Sequence, residues 1–155
     1  MKYLIIYQHR SREYDNALLL KAALENDGNF VDIKHDASDL VLFNRYDFYI
    51  FPCLYNDDQL KFLEFRFNIS SKPILNLRYE QVCTKFDLES GLMAPEGKAK
   101  DIPLISWGNL DKEYVINHGM SPENVFVTGH ITMDYLRDEF RPFWKSRKEI
   151  FCSRF

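Results

Sequence analysis

Polar residues in this chain gather directly behind short apolar runs, which is where a parallel sheet would carry its chemistry. Gln8, His9, Arg10, Arg12 and Glu13 follow the run YLIIY, and Arg78, Tyr79, Glu80 and Gln81 follow PILNL. Gly108 and Asn109 come after IPLISW, and Thr128, Gly129 and His130 after VFV. Among these, Glu80 is the candidate for proton transfer. A carboxylate at the end of an apolar strand, flanked by Arg78 and Tyr79, could serve as a general base toward a hydroxyl. Its competing role is an ion pair with Arg78 that only fixes the loop. Arg12 and Glu13 stand at the mouth of the first helix, where the dipole favours Glu and where Arg is either a ligand contact or a surface charge. Thr128 and Gly129 offer backbone N–H groups to an anion or a sugar hydroxyl, or form an ordinary strand-to-helix turn. Trp107 reads as core. His9 and His130 are isolated, with no metal-ligand spacing around them.

The elements that must position these residues follow from hydrophobic period and turn chemistry. Apolar runs at 3–7, 30–33, 48–51, 73–77, 102–107 and 125–127 predict six strands. Helical spacing predicts helices over 15–27, ending at Gly28, and over 110–118, closed by Gly119. Asn56 to Gln59 has the form of a capping box before a helix at 60–67. A short polar helix or turn is expected at 37–44, a long loop at 82–100, and a mostly helical tail at 132–150 broken at Pro142. Strands alternating with helices at this interval predict an α/β, Rossmann-like three-layer domain with a mainly parallel sheet of about six strands. Right-handed crossovers then bring the four polar clusters to one rim.

Composition excludes several classes. With 46% hydrophobic and 28% charged residues over 155 positions, the chain reads as one globular domain. A net charge of −3 gives no reason to expect nucleic acid. The three cysteines, Cys53, Cys83 and Cys152, form neither a disulfide framework nor a zinc pattern, which suits a reducing, cytoplasmic setting. No run approaches the roughly 20 apolar residues of a membrane span. G-x-G-x-x-G, Walker, G-x-S-x-G and H-E-x-x-H patterns are all missing, which disfavours a dinucleotide site, an NTP site and two familiar hydrolase classes.

Three blocks carry a family resemblance. Trp107, Gly108, Lys112, Gly119, Glu123, Val127, Thr128, Gly129, Asp134, Leu136, Arg137, Glu139, Phe140 and Arg141 fit a pattern that ends in T-G…D-x-L-R-x-E-F-R. Upstream stand Ser11-Arg12-Glu13-Tyr14-Asp15 and Leu77-Arg78-Tyr79-Glu80-Gln81. With these the chain resembles bacterial surface-carbohydrate (capsule or lipopolysaccharide) biosynthesis proteins with a GT-B-type glycosyltransferase fold. It departs from them at Asn109, where a Glu is expected, and at His130-Ile131-Thr132, where the pattern has N-P-x.

The resemblance implies that residues 1–149 are the N-terminal, acceptor-side domain, and that 150–155 open a missing second domain or form a tail. It implies Glu80 as catalytic base, with Arg12, Glu13, Arg78, Gln81, Asn109, Thr128, Gly129 and His130 binding substrate. No metal or resident cofactor is expected; a nucleotide-sugar donor would bind the C-terminal half, for hexosyl or ulosonic-acid transfer. The implied partners are a glycan or lipid-linked saccharide acceptor and that donor-binding domain. The implied place is the cytoplasm, at the inner face of the plasma membrane. The alternative is a non-catalytic glycan- or partner-binding module, which the changes at Asn109 and His130 favour. A related sugar-nucleotide epimerase or glycerophosphotransferase would share the architecture.

Overall fold

A computed structural model describes residues 1–37, 45–69, 71–81, 86, 89 and 94–152. Six strands, β1 (Lys2–Tyr7), β2 (Phe30–His35), β3 (Phe48–Phe51), β4 (Ile74–Asn76), β5 (Leu104–Ser106) and β6 (Val125–Val127), lie in the order β2-β1-β3-β4-β5-β6. Every neighbouring pair is parallel. The chain is therefore an α/β domain of Rossmann-like architecture, as the strand and helix spacing predicts. Strand order reverses between β1 and β3, which is the topological switch point at which sheets of this kind commonly bind ligands.

The period-2 pattern explains both faces of the sheet. Leu4, Ile6, Tyr49 and Phe51 pack on one side with Leu60, Leu63 and Phe67 of helix α2 (Asp57–Phe67). Ile5, Val31 and Ile50 point the other way, toward Ala17, Leu20 and Leu24 of helix α1 (Asp15–Asn26). A third apolar cluster joins Leu104 and Val125 to Tyr114 and Val115 of helix α3 (Asn109–Asn117). Burial of this kind contributes about 25 cal/mol per Å² of apolar surface removed from water, which makes these clusters the main stabilising term.

Helix α2 starts three residues earlier than the apolar spacing indicates, because its cap fixes the start. The Asn56 side chain accepts from Gln59 N–H at 2.9 Å, and Tyr55 N–H donates to the Gln59 side chain at 2.7 Å. Before α1 the chain winds through one wide π-type turn, Arg10–Tyr14, rather than a loop. The tail differs most from expectation. Two 3-10 turns, Ile131–Leu136 and Asp138–Phe140, precede helix α4 (Arg141–Cys152). Pro142 does not break this helix; it occupies the first turn, where its missing N–H has no intrahelical partner to lose. Of the expected turn at 37–44, all but Ala37 lies outside the described residues, as do Cys83, most of the loop at 82–100, and 153–155.

Replacing Asn56 with Ala is expected to destabilise the domain by about 1 kcal/mol in urea unfolding, the ordinary worth of an N-cap. A change below about 0.3 kcal/mol would show that α2 does not depend on it.

Candidate functional site

The rim beyond the end of β1 is built around a buried carboxylate. Glu13 has no solvent exposure. One of its oxygens accepts from Gln8 N–H at 2.6 Å and His9 N–H at 3.2 Å, so it caps the turn leaving β1. The other accepts from Arg12 Nε at 3.1 Å and Nη2 at 2.8 Å. The remaining nitrogen of Arg12, Nη1, crosses to Glu80 at 2.6 Å. The bond to Glu13 is the largest influence raising the Arg12 pKa, partial burial opposes it, and Glu80 adds to it.

Glu80 is the half-open end of this chain of charges. Its side chain is 39% exposed and that of Arg12 is 42% exposed. One Glu80 oxygen meets Arg12, while the other accepts from the Tyr55 hydroxyl at 3.1 Å. Tyr55, just after β3, was not among the residues picked out from sequence. Burial, then the nearby Cys53 and Glu80, pushes its hydroxyl pKa well up, so it remains a proton donor to Glu80. Burial likewise keeps the Cys53 thiol protonated, which makes it a poor nucleophile.

The pairing of Glu80 with Arg78 does not occur. Arg78 is wholly buried and bonds Asp111 of α3, whose other oxygen accepts from the Ser106 hydroxyl at 2.9 Å. Its backbone is left-handed at φ 46°, held by a bond from its N–H to the Asn76 side chain at 3.0 Å. That conformation costs a non-glycine residue on the order of 1 kcal/mol. Gln81 is buried too. Its amide nitrogen donates to the carbonyls of Arg78 (3.0 Å) and Ile105 (3.1 Å), and its oxygen accepts from Trp107 N–H at 2.8 Å. Arg78 and Gln81 therefore lie beneath the rim, bracing the ends of β4 and β5.

The remaining candidates sit along the ends of β5 and β6. Asn109 is exposed at the first position of α3, and Gly129 takes φ 83° with open space where a side chain would be. The His130 ring stands edge-on to Trp107, with centroids 4.0 Å apart, and 6.2 Å from Tyr79. Its Nδ1 accepts from Thr132 N–H at 3.1 Å. These rings line a cavity of about 410 Å³ beside Leu77 and Thr128. No described hydrogen bond joins Asn109, Thr128, Gly129 or His130 to Glu80. Thus the structure brings Arg12, Glu13 and Glu80 into direct contact and sets the β6 group apart. Among the described residues, no three His, Cys, Asp or Glu side chains gather as a metal site.

Comparison of the chain with protein-family models and with curated proteins returned no match. The functional reading therefore rests on the geometry and on the motif resemblance.

Burial lowers the His130 pKa, so the folded state favours the neutral ring. The unfolded chain binds this proton more readily, and the stabilising contribution is complete above the unfolded value of about 6.5. It is lost as pH falls through the lower, folded value. Urea unfolding at pH 7 and pH 5 should show a fall in stability that is smaller in His130→Gln. An identical fall in both proteins would remove His130 as its source.

Proposed function

We propose that this chain is the acceptor-side domain of a glycosyltransferase for bacterial surface polysaccharide, with Glu80 as its general base. The supporting observation is the placement of Glu80. It is a partly exposed carboxylate after β4, held on one oxygen by Arg12 from the turn after β1 and on the other by Tyr55 from the segment after β3, the two strands between which strand order reverses. In the reaction it takes the proton of an acceptor hydroxyl. The hydroxyl oxygen bonds to the anomeric carbon of a nucleotide sugar, and the nucleotide leaves with the electron pair of the broken bond. Arg12 and Tyr55 aim the carboxylate, and Glu13 aims Arg12. In this reading Asn109, Thr128, Gly129 and His130, at the ends of β5 and β6 and apart from Glu80, bind a more distant part of the sugar. The donor would be held largely by a second domain, and the setting is cytoplasmic, beside a lipid-linked or glycan acceptor.

A second reading has one observation in its favour. Both oxygens of Glu80 are already engaged, which is how a carboxylate is held for structure or binding rather than for proton transfer. In that reading the rim binds a glycan without transfer.

Glycosyl transfer measured with this domain joined to its donor-binding half separates the two. Glu80→Gln should lower kcat about 10²–10⁴-fold, the usual contribution of a positioned base, with KM little changed. Near-normal turnover in that variant removes Glu80 from the mechanism. Glycan binding without transfer by the unsubstituted protein selects the binding module.

A further inference from the structure

The two faces of the sheet are not equally covered. Helices α2 and α3 pack against Phe51 and Leu104, which share one face, since both pair in register with Asn76. Among the described helices, α1 alone joins the apolar cluster on the other face. Leu75 of β4 and Ile105 of β5, on inner strands, belong to that second face and stay partly exposed, whereas Phe51 and Leu104 have no exposure. Parallel strands are ordinarily buried on both faces, so this partly bare floor is the exception within the sheet.

The floor is roofed rather than open. The turn Ile131–Leu136 is tied to α1, because the Thr132 hydroxyl donates to the Asn16 side chain at 3.0 Å and the Tyr135 hydroxyl donates to the Asp15 carbonyl. Ile131 and Asp134 of that turn, with Leu24 of α1, wall the cavity of about 410 Å³ whose floor is Leu75 and Ile105. Its size falls among small-molecule sites, which span about 300–1,000 Å³. A space bounded by sheet, helix and a pinned turn suits a small molecule better than a helix from another protein.

The lining decides the chemistry of the occupant. Among the described residues that line the cavity none is lysine or arginine, and the carboxylate in its wall, Asp134, pairs with Arg137 at 2.7 Å. An anion would therefore enter apolar surroundings without a counter-charge, which is costly. One polar atom is left over. The Tyr79 hydroxyl is buried and has no hydrogen-bond partner among the described residues. Burial, then the nearby charge of Glu13, raises its pKa, so it keeps its proton and can donate. A saccharide would leave most of its hydroxyls unpaired against leucine and isoleucine; an apolar molecule with one acceptor leaves none unpaired.

We propose that this cavity binds a small, uncharged, mainly apolar molecule whose carbonyl-type oxygen accepts a hydrogen bond from Tyr79. Thr128, Gly129 and His130 are shared with the rim, whereas Arg12, Glu13 and Glu80 do not line the cavity. Binding here is therefore separable from the transfer chemistry proposed above, and either can fail alone.

The test titrates the full chain with propionyl-dimethylaminonaphthalene, an uncharged apolar dye with one carbonyl, whose emission moves to the blue in an apolar site. It should bind at one site with a Kd below about 100 μM. Anilinonaphthalene sulfonate, an anion on the same ring system, should bind at least about tenfold more weakly. Tyr79→Phe removes only an unpaired buried hydroxyl, so thermal unfolding should show it at least as stable as the unsubstituted protein. It should weaken dye binding about threefold to tenfold. Ile105→Phe raises the floor into the cavity and should weaken binding about tenfold or more; should that variant not fold, Tyr79→Phe decides alone. Binding that does not saturate below about 1 mM, equal or tighter binding of the sulfonate, or unchanged affinity in a folded variant of either kind overturns the proposal. So does displacement of the dye by a neutral oligosaccharide such as maltotriose, which would return the cavity to the glycan site.

Discussion

A single carboxylate with no access to water organises the rim of this domain. Taking a charge out of water costs several kcal/mol unless it is fully hydrogen-bonded. Glu13 meets that requirement with two backbone N–H groups from the turn after β1 and two nitrogens of Arg12. Because those donors come from residues 8, 9 and 12, the bonds close the wide turn Arg10–Tyr14 around the carboxylate and set the direction in which α1 departs. They also leave Arg12 with one nitrogen free of Glu13, and that nitrogen reaches Glu80 after β4. The exposed carboxylate is aimed by the buried one.

A second buried network supports the far side of Glu80. Asn76, Arg78 and Gln81 tie the end of β4 to the chain after β3, to β5 and to α3 through bonds among Leu54, Asp111, Ile105 and Trp107. The left-handed backbone at Arg78 turns its side chain inward and lets the chain emerge at Glu80. Placing a flexible carboxylate on two rigid supports is what precise positioning requires, since loosening of about 1 Å is enough to cost a large factor in rate.

Much of the architecture was legible because parallel strands buried on both faces are continuous apolar runs. The bounds of β3 follow directly from FYIF, and those of β6 from VFV, although this edge strand leaves Phe126 and Val127 exposed. The polar clusters after β1 and β4 are also legible, since polar residues directly behind such runs are conspicuous. Which of those residues would face solvent was not. Arg78 and Gln81 look like ligands in sequence, but both are buried and bond within the fold, and for Arg78 only the pairing with Asp111 of a later helix reveals it. Tyr55 was hidden for the opposite reason. It ends an apolar stretch, Pro52-Cys53-Leu54-Tyr55, that reads as core, and its contact with Glu80 spans 25 residues. The tail was misjudged at Pro142 because proline marks either a break or a first turn, and only the preceding 3-10 turns decide between them.

Glu80 is aimed only if Glu13 and Arg12 are energetically coupled, and a double-mutant cycle measures that coupling directly. Stability would be determined by urea unfolding for the unsubstituted protein, Arg12→Gln, Glu13→Gln and the double variant. A charge-assisted bond between a buried carboxylate and a partly exposed guanidinium should couple its two groups by about 1 kcal/mol or more, so the double variant is less destabilised than the sum of the single ones. Effects that add to within about 0.5 kcal/mol would contradict the claim that Glu13 holds Arg12 in place.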